Sequence, residues 1–321
     1  GGPILAGALV AWDPAGLGWR AIFLVNLPVG LACLVVARRV LPESRAEDGP
    51  RPDPLGALLI TAGLALLVFP LVEGRELGWP GWLVVMAAAS LPVVALFGWH
   101  QLRRRAAGRS PLVEPALFRS RAFTGGLVVA VAFFGAMTAL IFALGLYLQL
   151  GLGFSALQAG LAQAPWALGT VAGAVLSGAW LGRLGRPVLQ AGAAVMAVGV
   201  GGVLVAVQAT GGAVDGWSLA PGLVVCGIGT GLLTTPLFDI ILAGVQLPLV
   251  GSASGVLNAV QQLGGTAGVA ALGTVFFALF DAGDQVGAFT TVLWLAAALS
   301  VLTGLLAALL PRRARTEPVA A

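Results

Sequence analysis

The stretch LITAGLALLVFPL (59–71) is apolar almost throughout, carries no charged residue and shows no alternation of apolar and polar positions. The strands of a membrane β-barrel alternate such residues with a period of two. A lone strand exposed to lipid leaves its backbone N–H and C=O groups unpaired, whereas a helix pairs them internally. The surrounding run 55–73 is close to the roughly 20 residues that cross a bilayer as a helix. It therefore predicts a transmembrane α-helix.

The rest of the chain repeats this pattern. Its residues are 59% hydrophobic and only 9% charged, whereas a soluble domain carries about 25% charged residues. Residues 1–12 are apolar but too few to cross a bilayer, so we expect a fragment that lacks N-terminal helices. The pattern predicts an all-α polytopic membrane protein with nine full transmembrane helices and one partial helix. The eight further runs are 20–38, 81–99, 122–150, 156–181, 187–208, 218–243, 253–280 and 287–310.

Arginine distribution predicts the orientation. All 17 basic residues are arginines, and fifteen of them fall in alternate loops on one side, against only Arg20 and Arg75 on the other. Short cytoplasmic loops of membrane proteins are enriched in basic residues. We therefore expect a multi-pass protein of the cell (plasma) membrane with a cytoplasmic C-terminus. Because the arginines lie in short loops between apolar runs, nucleic acid is not an expected partner.

Two arginine-rich loops divide the chain. Residues 40–54 mix charge with prolines, and residues 100–121 are strongly basic. The two loops bracket a pair of apolar runs and precede a block of six. The predicted domains are 1–39, the end of an N-terminal six-helix bundle; 40–54, a cytoplasmic loop; 55–99, a two-helix insert; 100–121, a basic cytoplasmic linker; 122–310, a C-terminal six-helix bundle; and 311–321, a cytoplasmic tail.

Small residues recur at a spacing of four. In lipid, such spacings let helix backbones approach closely. Ordinary tight packing explains them, and a face that slides during a conformational cycle is the alternative. The spacings are Gly169/Gly173/Ser177, Gly178/Gly182, Gly227/Gly231 and Gly264/Gly268.

The stretch GWRAIFLVNLPVG (18–30) places polar residues and a proline at the start of a membrane helix. Trp19 and Arg20 suit the membrane interface. Pro28 removes one N–H and predicts a bend that frees the carbonyl near residue 24. Asn26 is expected to hydrogen-bond a neighbouring helix. A purely structural kink is the simpler interpretation of both residues.

Several motifs in order resemble one transporter family. GGPILAGAL (1–9) followed by WRAIFLVNLPVG (19–30) and LPE (41–43) resembles the end of the fifth helix and the sixth helix of the fourteen-helix drug:proton antiporters of the major facilitator superfamily. Gly2, Pro3 and Gly7 match the Gly-Pro-x-x-Gly-Gly core of the antiporter motif, with Ala6 replacing the first closing glycine. Residues 155–169, 227–245 and 251–277 resemble the start of its tenth helix and its twelfth and thirteenth helices.

The resemblance implies two six-helix bundles with two extra helices between them. It also implies secondary active transport, with proton-coupled efflux of hydrophobic or amphipathic drugs by alternating access. The loop GRLGRP (182–187) departs from the superfamily's loop motif, because no aspartate precedes the basic residue. Arg183 and Arg186 could pair with carbonyls at helix C-termini or act only as topological charge.

Asp239 is the acid that lies furthest inside a spanning run. A charge within the bilayer is costly, so it is a candidate for proton or cation coupling. A carboxylate that moves between wet and dry surroundings changes its pKa and can exchange a proton. A structural or gate-side pair with a loop arginine is the alternative.

Neutral polar residues within the spans complete the candidate proton or substrate site. Asn258 and Gln262 are four apart and therefore share a helix face, whereas Gln261 points about 100° away from Gln262. Gln149 and Gln163 occupy other helices. All four candidates could line a cavity or form interhelical hydrogen bonds.

No catalytic, metal or cofactor motif is apparent, and the chain is not expected to be an enzyme. Cys33 and Cys226 lie in apolar runs, and His100, the one histidine, begins a basic loop where we expect it solvated or interfacial. The sequence lacks a phosphate-binding Gly-Lys-Ser/Thr loop, so ATP is not an expected partner. The expected partners are a small-molecule substrate, protons and membrane lipids. A metabolite uniporter or symporter, or a membrane sensor or scaffold, remains an alternative.

Overall fold

The structure is a computed structural model that describes residues 2–13, 16–40, 52–243 and 245–311, leaving out the side chains of 3 and 180–184. Within these residues every regular element is helical. Nine helical segments of this part are long and apolar enough to cross a bilayer, and they correspond to the nine predicted runs. The prediction of an all-α membrane bundle is therefore confirmed.

Twelve α-helices build the described part of the chain, and short 3₁₀ turns and one π-turn extend some of them. The bounds are α1 Gly2–Trp12, α2 Ala21–Leu24, α3 Asn26–Val40, α4 Pro54–Glu73, α5 Gly81–Ala106, α6 Arg121–Leu146, α7 Ala156–Ala162, α8 Ala164–Leu184, α9 Arg186–Ala209, α10 Ala220–Leu242, α11 Val250–Phe280 and α12 Gln285–Leu306.

Three of the predicted runs differ from the observed helices. Helix α5 continues to Ala106, so the first part of the predicted linker 100–121 is helical. Its last turn carries three arginines, and positive charge stabilises the C-terminus of a helix. The predicted run 156–181 forms two helices that break at Gln163. The run 122–150 ends in a π-turn, Tyr147–Gly151.

Helices α8 and α10 pack at glycines. A Cβ atom added to Gly231 would collide with the Thr170 carbonyl oxygen, and one added to Gly173 would collide with the Ile228 carbonyl oxygen. Helices α6 and α11 repeat this arrangement, since a Cβ on Gly268 would meet the backbone of Gly135. These glycines of the predicted spacings therefore allow close backbone contact. Gly178, in contrast, faces no described atom within 4 Å.

Contacts between loops agree with the predicted alternation of sides. The Arg75 guanidinium donates to the Asp281 carboxylate at 2.9 Å, which joins the two arginine-poor turns after α4 and α11. On the arginine-rich side, the Arg186 guanidinium donates to the Ala308 and Leu310 carbonyls at 2.9 and 3.1 Å. Of the two interpretations of Arg186, the pairing with helix-terminal carbonyls is observed, whereas the Arg183 side chain lies outside the described residues.

Candidate transport site

Helix α1, which carries the Gly-Pro motif, packs directly against α7. Gly7 is buried in this contact, and a Cβ atom there would lie 2.6 Å from the Ala156 carbonyl oxygen and 2.7 Å from the Leu157 Cα. Since real Cβ atoms do not approach backbone so closely, only glycine allows this spacing of the two helices. Gly2 is exposed with no described atom within 4 Å of such a Cβ, and the Pro3 side chain lies outside the described part.

Two predicted glutamines meet the Gly-Pro helix at one cavity. A space of about 200 Å³ lies between Gly7, Ile22, Gln149 and Gln163. The amide nitrogens of the two glutamines donate to carbonyls of their own helices, at 3.2 Å for Gln149 and 3.3 Å for Gln163. No described residue donates to either amide oxygen, so both oxygens are available to accept a hydrogen bond from a solute.

Local breaks in the helices direct these glutamines. Gln163 lies at the junction of α7 and α8, and Gln149 lies in the π-turn at the end of α6. Tyr147 fixes this turn, because its hydroxyl donates to the Gly212 carbonyl at 2.7 Å and its ring stacks on Phe289 at 4.4 Å. Single π-turns inside helices often occur at functional sites. The hydrophobicity pattern gave no signal for either break.

Asp239, Asn258 and Gln262 lie apart from this cavity, on α10 and α11. All three side chains are exposed, and Asn258 and Gln262 share a face of α11 while Gln261 is partly buried. Asp239 lies one turn before the end of α10 at Leu242. Within residues 2–13, 16–40, 52–243 and 245–311, no group bonds to its carboxylate. The alternative of a pair with a loop arginine is therefore not seen in this part of the chain.

The helix after Trp19 breaks where the sequence predicts a bend. The α-helical pattern is interrupted at Val25, three residues before Pro28, which divides α2 from α3. Among the described residues, the Asn26 amide nitrogen reaches the Ile22 carbonyl of the preceding helix α2 at 3.5 Å, so the expected bond to a more distant helix stays a prediction. Asn26 is exposed, and the preceding turn offers the nearest acceptor.

Sequence reasoning missed a buried polar cluster at the arginine-rich end of α4 and α5. The Asp53 side chain is only 2% exposed. It caps α4 by accepting the Gly56 N–H at 2.9 Å, and it lies 3.0 Å from both His100 Nε2 and Gln101 Nε2 and 3.4 Å from Arg104. His100 is thus partly buried rather than freely solvated, and its interfacial position stays a prediction. An Asp-Pro pair before an apolar run is a sequence signal for such a cap, but it does not reveal the partners.

The electrostatics of this cluster favour the ionised carboxylate. Burial by itself raises the pKa of Asp53. Hydrogen bonds from His100, Gln101 and the Gly56 N–H, with the charge of Arg104, outweigh burial and lower the pKa from 3.8 to about 2. Asp53 therefore remains charged at neutral pH and holds the ends of α4 and α5 together.

A hydrogen-bond chain continues from this cluster to α11. The Gln101 side-chain oxygen accepts the Leu112 N–H at 2.6 Å. The Leu112 carbonyl in turn accepts the Ser252 hydroxyl at 3.0 Å, and the Glu114 N–H donates to the same hydroxyl at 3.3 Å. The linker between α5 and α6 is therefore held from both sides.

The helical plan agrees with the comparison to known proteins. A profile of the Major Facilitator Superfamily matches residues 1–269. The chain belongs to this superfamily. It is thus a multi-pass membrane protein, and the recognised resemblance is confirmed.

Curated relatives of the chain are named as a transporter, an export protein and a multidrug resistance protein. The chain is 47% identical over 279 residues to a probable actinorhodin transporter of Streptomyces coelicolor, covering 87% of this chain and 48% of the relative. It is 35% identical over 263 residues to the cephamycin export protein CmcT of Amycolatopsis lactamdurans, covering 81% and 53%. It is 30% identical over 284 residues to the multidrug resistance protein Stp of Mycobacterium tuberculosis, covering 88% and 50%. The chain spans about half the length of these relatives.

Proposed function

We propose that this chain forms part of a proton-coupled exporter of hydrophobic or amphipathic small molecules in the cell membrane, with the arginine-rich side in the cytoplasm. The 47% identity to a protein named as a probable actinorhodin transporter carries the proposal. The relatives named for cephamycin export and multidrug resistance support the broader class. Transport, rather than catalysis, is the activity proposed.

The geometry supports alternating access. Helix α1 meets α7 through one buried glycine, so two parts of the chain that are distant in sequence touch along a short backbone contact. Rocking of two bundles around such a contact opens and closes a path between them. In this mechanism Gln149 and Gln163 present acceptor oxygens to solute at the contact, while Asp239 exchanges the proton.

Export is tested with everted vesicles that contain the protein expressed from its complete reading frame. Actinorhodin and a lipophilic fluorescent dye are the substrates, and uptake is recorded with and without an imposed pH gradient. We expect uptake that depends on the gradient and stops when a protonophore collapses it. Uptake that is equal with and without the gradient would rule out proton coupling, and no uptake of either compound would contradict export.

Gly7→Val is expected to lower gradient-driven transport at least about tenfold. The added side chain would force α1 away from the Ala156 carbonyl, and misplacement by about 1 Å can cost up to about a hundredfold where groups must act together. Gly2→Val is the matched control on the same helix, because the position has open space around it among the described atoms. Vesicle uptake at equal protein level measures both variants. If both variants lost transport equally, the effect would come from the Gly-Pro motif as a whole and not from the close contact between Gly7 and α7.

Asp239→Asn is expected to remove the dependence of transport on the pH gradient, lowering gradient-driven uptake about tenfold while downhill flux continues. Amide replaces carboxylate with the same shape but cannot exchange a proton. Asp215→Asn is the control, since this exposed carboxylate caps a turn at the Ser218 N–H, which asparagine also caps. If proton-coupled uptake in Asp239→Asn equals the wild-type rate, Asp239 has no part in coupling.

A further inference from the structure

A second cavity lies between the two-helix insert and the C-terminal helices. Its volume is about 390 Å³, within the range of pockets that hold small ligands. Arg75 and Glu76 in the turn after α4 line one end, Thr138 and Phe142 of α6 line a wall, and α11 contributes Ala270 and Phe277 among others. None of these residues lines the cavity beside Gly7. We call this second space the insert cleft.

The insert cleft has the depth of one membrane leaflet. Along α11 its lining runs from Thr266, near the middle of this helix, to Phe277 near the helix end. At 1.5 Å per residue this span is about 16 Å, and half of a hydrocarbon core of about 30 Å is about 15 Å. The cleft therefore extends from the bilayer centre to the arginine-poor surface, as one acyl chain does.

The outer end of the insert cleft carries charges of both signs. The Arg75 guanidinium bonds to Asp281 at 2.9 Å and lies 3.8 Å over the Phe277 ring. Its remaining N–H groups have no acceptor among the described residues. The Glu76 carboxylate is exposed, and no described residue bonds to it. One guanidinium and two carboxylates thus stand at this end.

These charges complement a zwitterionic headgroup. A phosphate can accept from the free guanidinium N–H groups, and a primary ammonium can donate to Glu76. A purely anionic headgroup would meet two carboxylates against one guanidinium. A quaternary ammonium carries the same charge but has no N–H to donate.

We propose that the insert cleft binds one phospholipid with a primary-amine headgroup, of the phosphatidylethanolamine type, from the arginine-poor leaflet. Its ammonium binds Glu76, its phosphate binds Arg75, and one acyl chain fills the space beside Phe142 and Ala270. The lipid joins the insert to α6 and α11 along a stretch where protein contacts leave a gap. This binding does not depend on the transported substrate.

Native mass spectrometry of the purified protein tests the proposal. The protein is supplied with dioleoyl phosphatidylethanolamine and dioleoyl phosphatidylcholine at equal concentration, and bound adducts are counted. We expect one retained lipid with an ethanolamine-over-choline preference of about tenfold, since hydrogen bonds to a charged group carry a difference of this size. Glu76→Gln is expected to reduce the preference to about one.

Two further variants separate the site from general effects. Glu73→Gln changes an acid at the end of α4 that does not line the cleft, and the preference should persist. Ala270→Phe fills the cleft and should reduce retention of both lipids severalfold at an unchanged melting temperature. If Ala270→Phe unfolds, the comparison of headgroup preference between Glu76→Gln and Glu73→Gln still tests the proposal.

Three results would overturn the proposal. These are a wild-type protein without headgroup preference, a preference that survives Glu76→Gln, and an equal loss in Glu73→Gln. Tetraphenylphosphonium added at the same concentration provides a last comparison. If wild type retains this cation and no lipid, and Glu76→Gln retains neither, the cleft is a site for small cations and the lipid assignment is wrong.

Discussion

Replacing Gly231 with leucine is expected to lower the free energy of unfolding by about 3 kcal/mol or more, near the upper end of overpacking costs. A side chain at this position collides with the Thr170 carbonyl and the backbone of Gly173 and Ala174. Backbone cannot rotate away as a side chain does, so α8 and α10 must separate. For a bundle of this size the melting temperature should fall by about 6–12 °C. Thermal unfolding in detergent, followed by size-exclusion chromatography, measures the change.

Gly178→Leu is the matched control, because it lies on the partner helix α8 with no described atom within 4 Å of an added Cβ. Leucine favours helix over glycine by up to about 1 kcal/mol, so this variant should be as stable as wild type or slightly more stable. Equal destabilisation by the two leucines would show that glycine content, rather than the contact between α8 and α10, determines stability.

Asp53→Asn is expected to destabilise the protein by about 3 kcal/mol at neutral pH. The amide retains the cap on the Gly56 N–H, but it removes the charge that faces Arg104 and sets an NH₂ group against donors from His100 and Gln101. Losing one partner of a buried charge cluster typically costs this much. Asp284→Asn is the control, since Asp284 is an exposed aspartate that caps α12 through the Gly287 N–H at 2.7 Å. If both variants lose the same stability, capping alone explains Asp53.

The pH dependence of stability provides an independent test of the same cluster. The folded pKa of Asp53, about 2, lies below its ordinary value of 3.8. The unfolded chain therefore takes up the proton first as pH falls, and the stabilisation is complete above about pH 4 and lost as pH falls through about 2. The difference between the unfolded and folded pKa values of Asp53 corresponds to about 2 kcal/mol in the free energy of unfolding. We expect the stability gap between wild type and Asp53→Asn to narrow by this amount on acidification, and a constant gap would contradict the assigned charge state.

The spans were predictable because length and hydropathy alone determine which segments can cross a bilayer. The run 55–73 became α4 with almost the same bounds. Interruptions of helices are harder to predict from the sequence, because they depend on contacts with residues that are distant in sequence. The π-turn at Tyr147 forms where its hydroxyl meets Gly212 and its ring meets Phe289, and nothing near residue 147 specifies those contacts.

The candidate site followed a similar division. Gly7 was recognisable from its motif, but its contact with Ala156 became visible only when α1 and α7 were placed together. Gln149 and Gln163 stand out in the sequence only as polar residues in apolar runs, and the structure brings them to one cavity. Asp239, Asn258 and Gln262 stand out for the same reason but lie elsewhere. Polarity thus identifies candidates, whereas grouping them requires the packing of helices.

Helices α4 and α5, the predicted two-helix insert, are bonded near both of their ends to the two ends of a single helix, α11. At one end, Arg75 bonds to Asp281, just past the last residue of α11. At the other end, the Gln101 side chain accepts the Leu112 N–H, and the Leu112 carbonyl accepts the hydroxyl of Ser252 in the first turn of α11. A hairpin fixed at two points some 40 Å apart along one axis, from the rise of a 31-residue helix, has little freedom to pivot. We therefore expect helices α4 and α5 to move together with α11 in any conformational change.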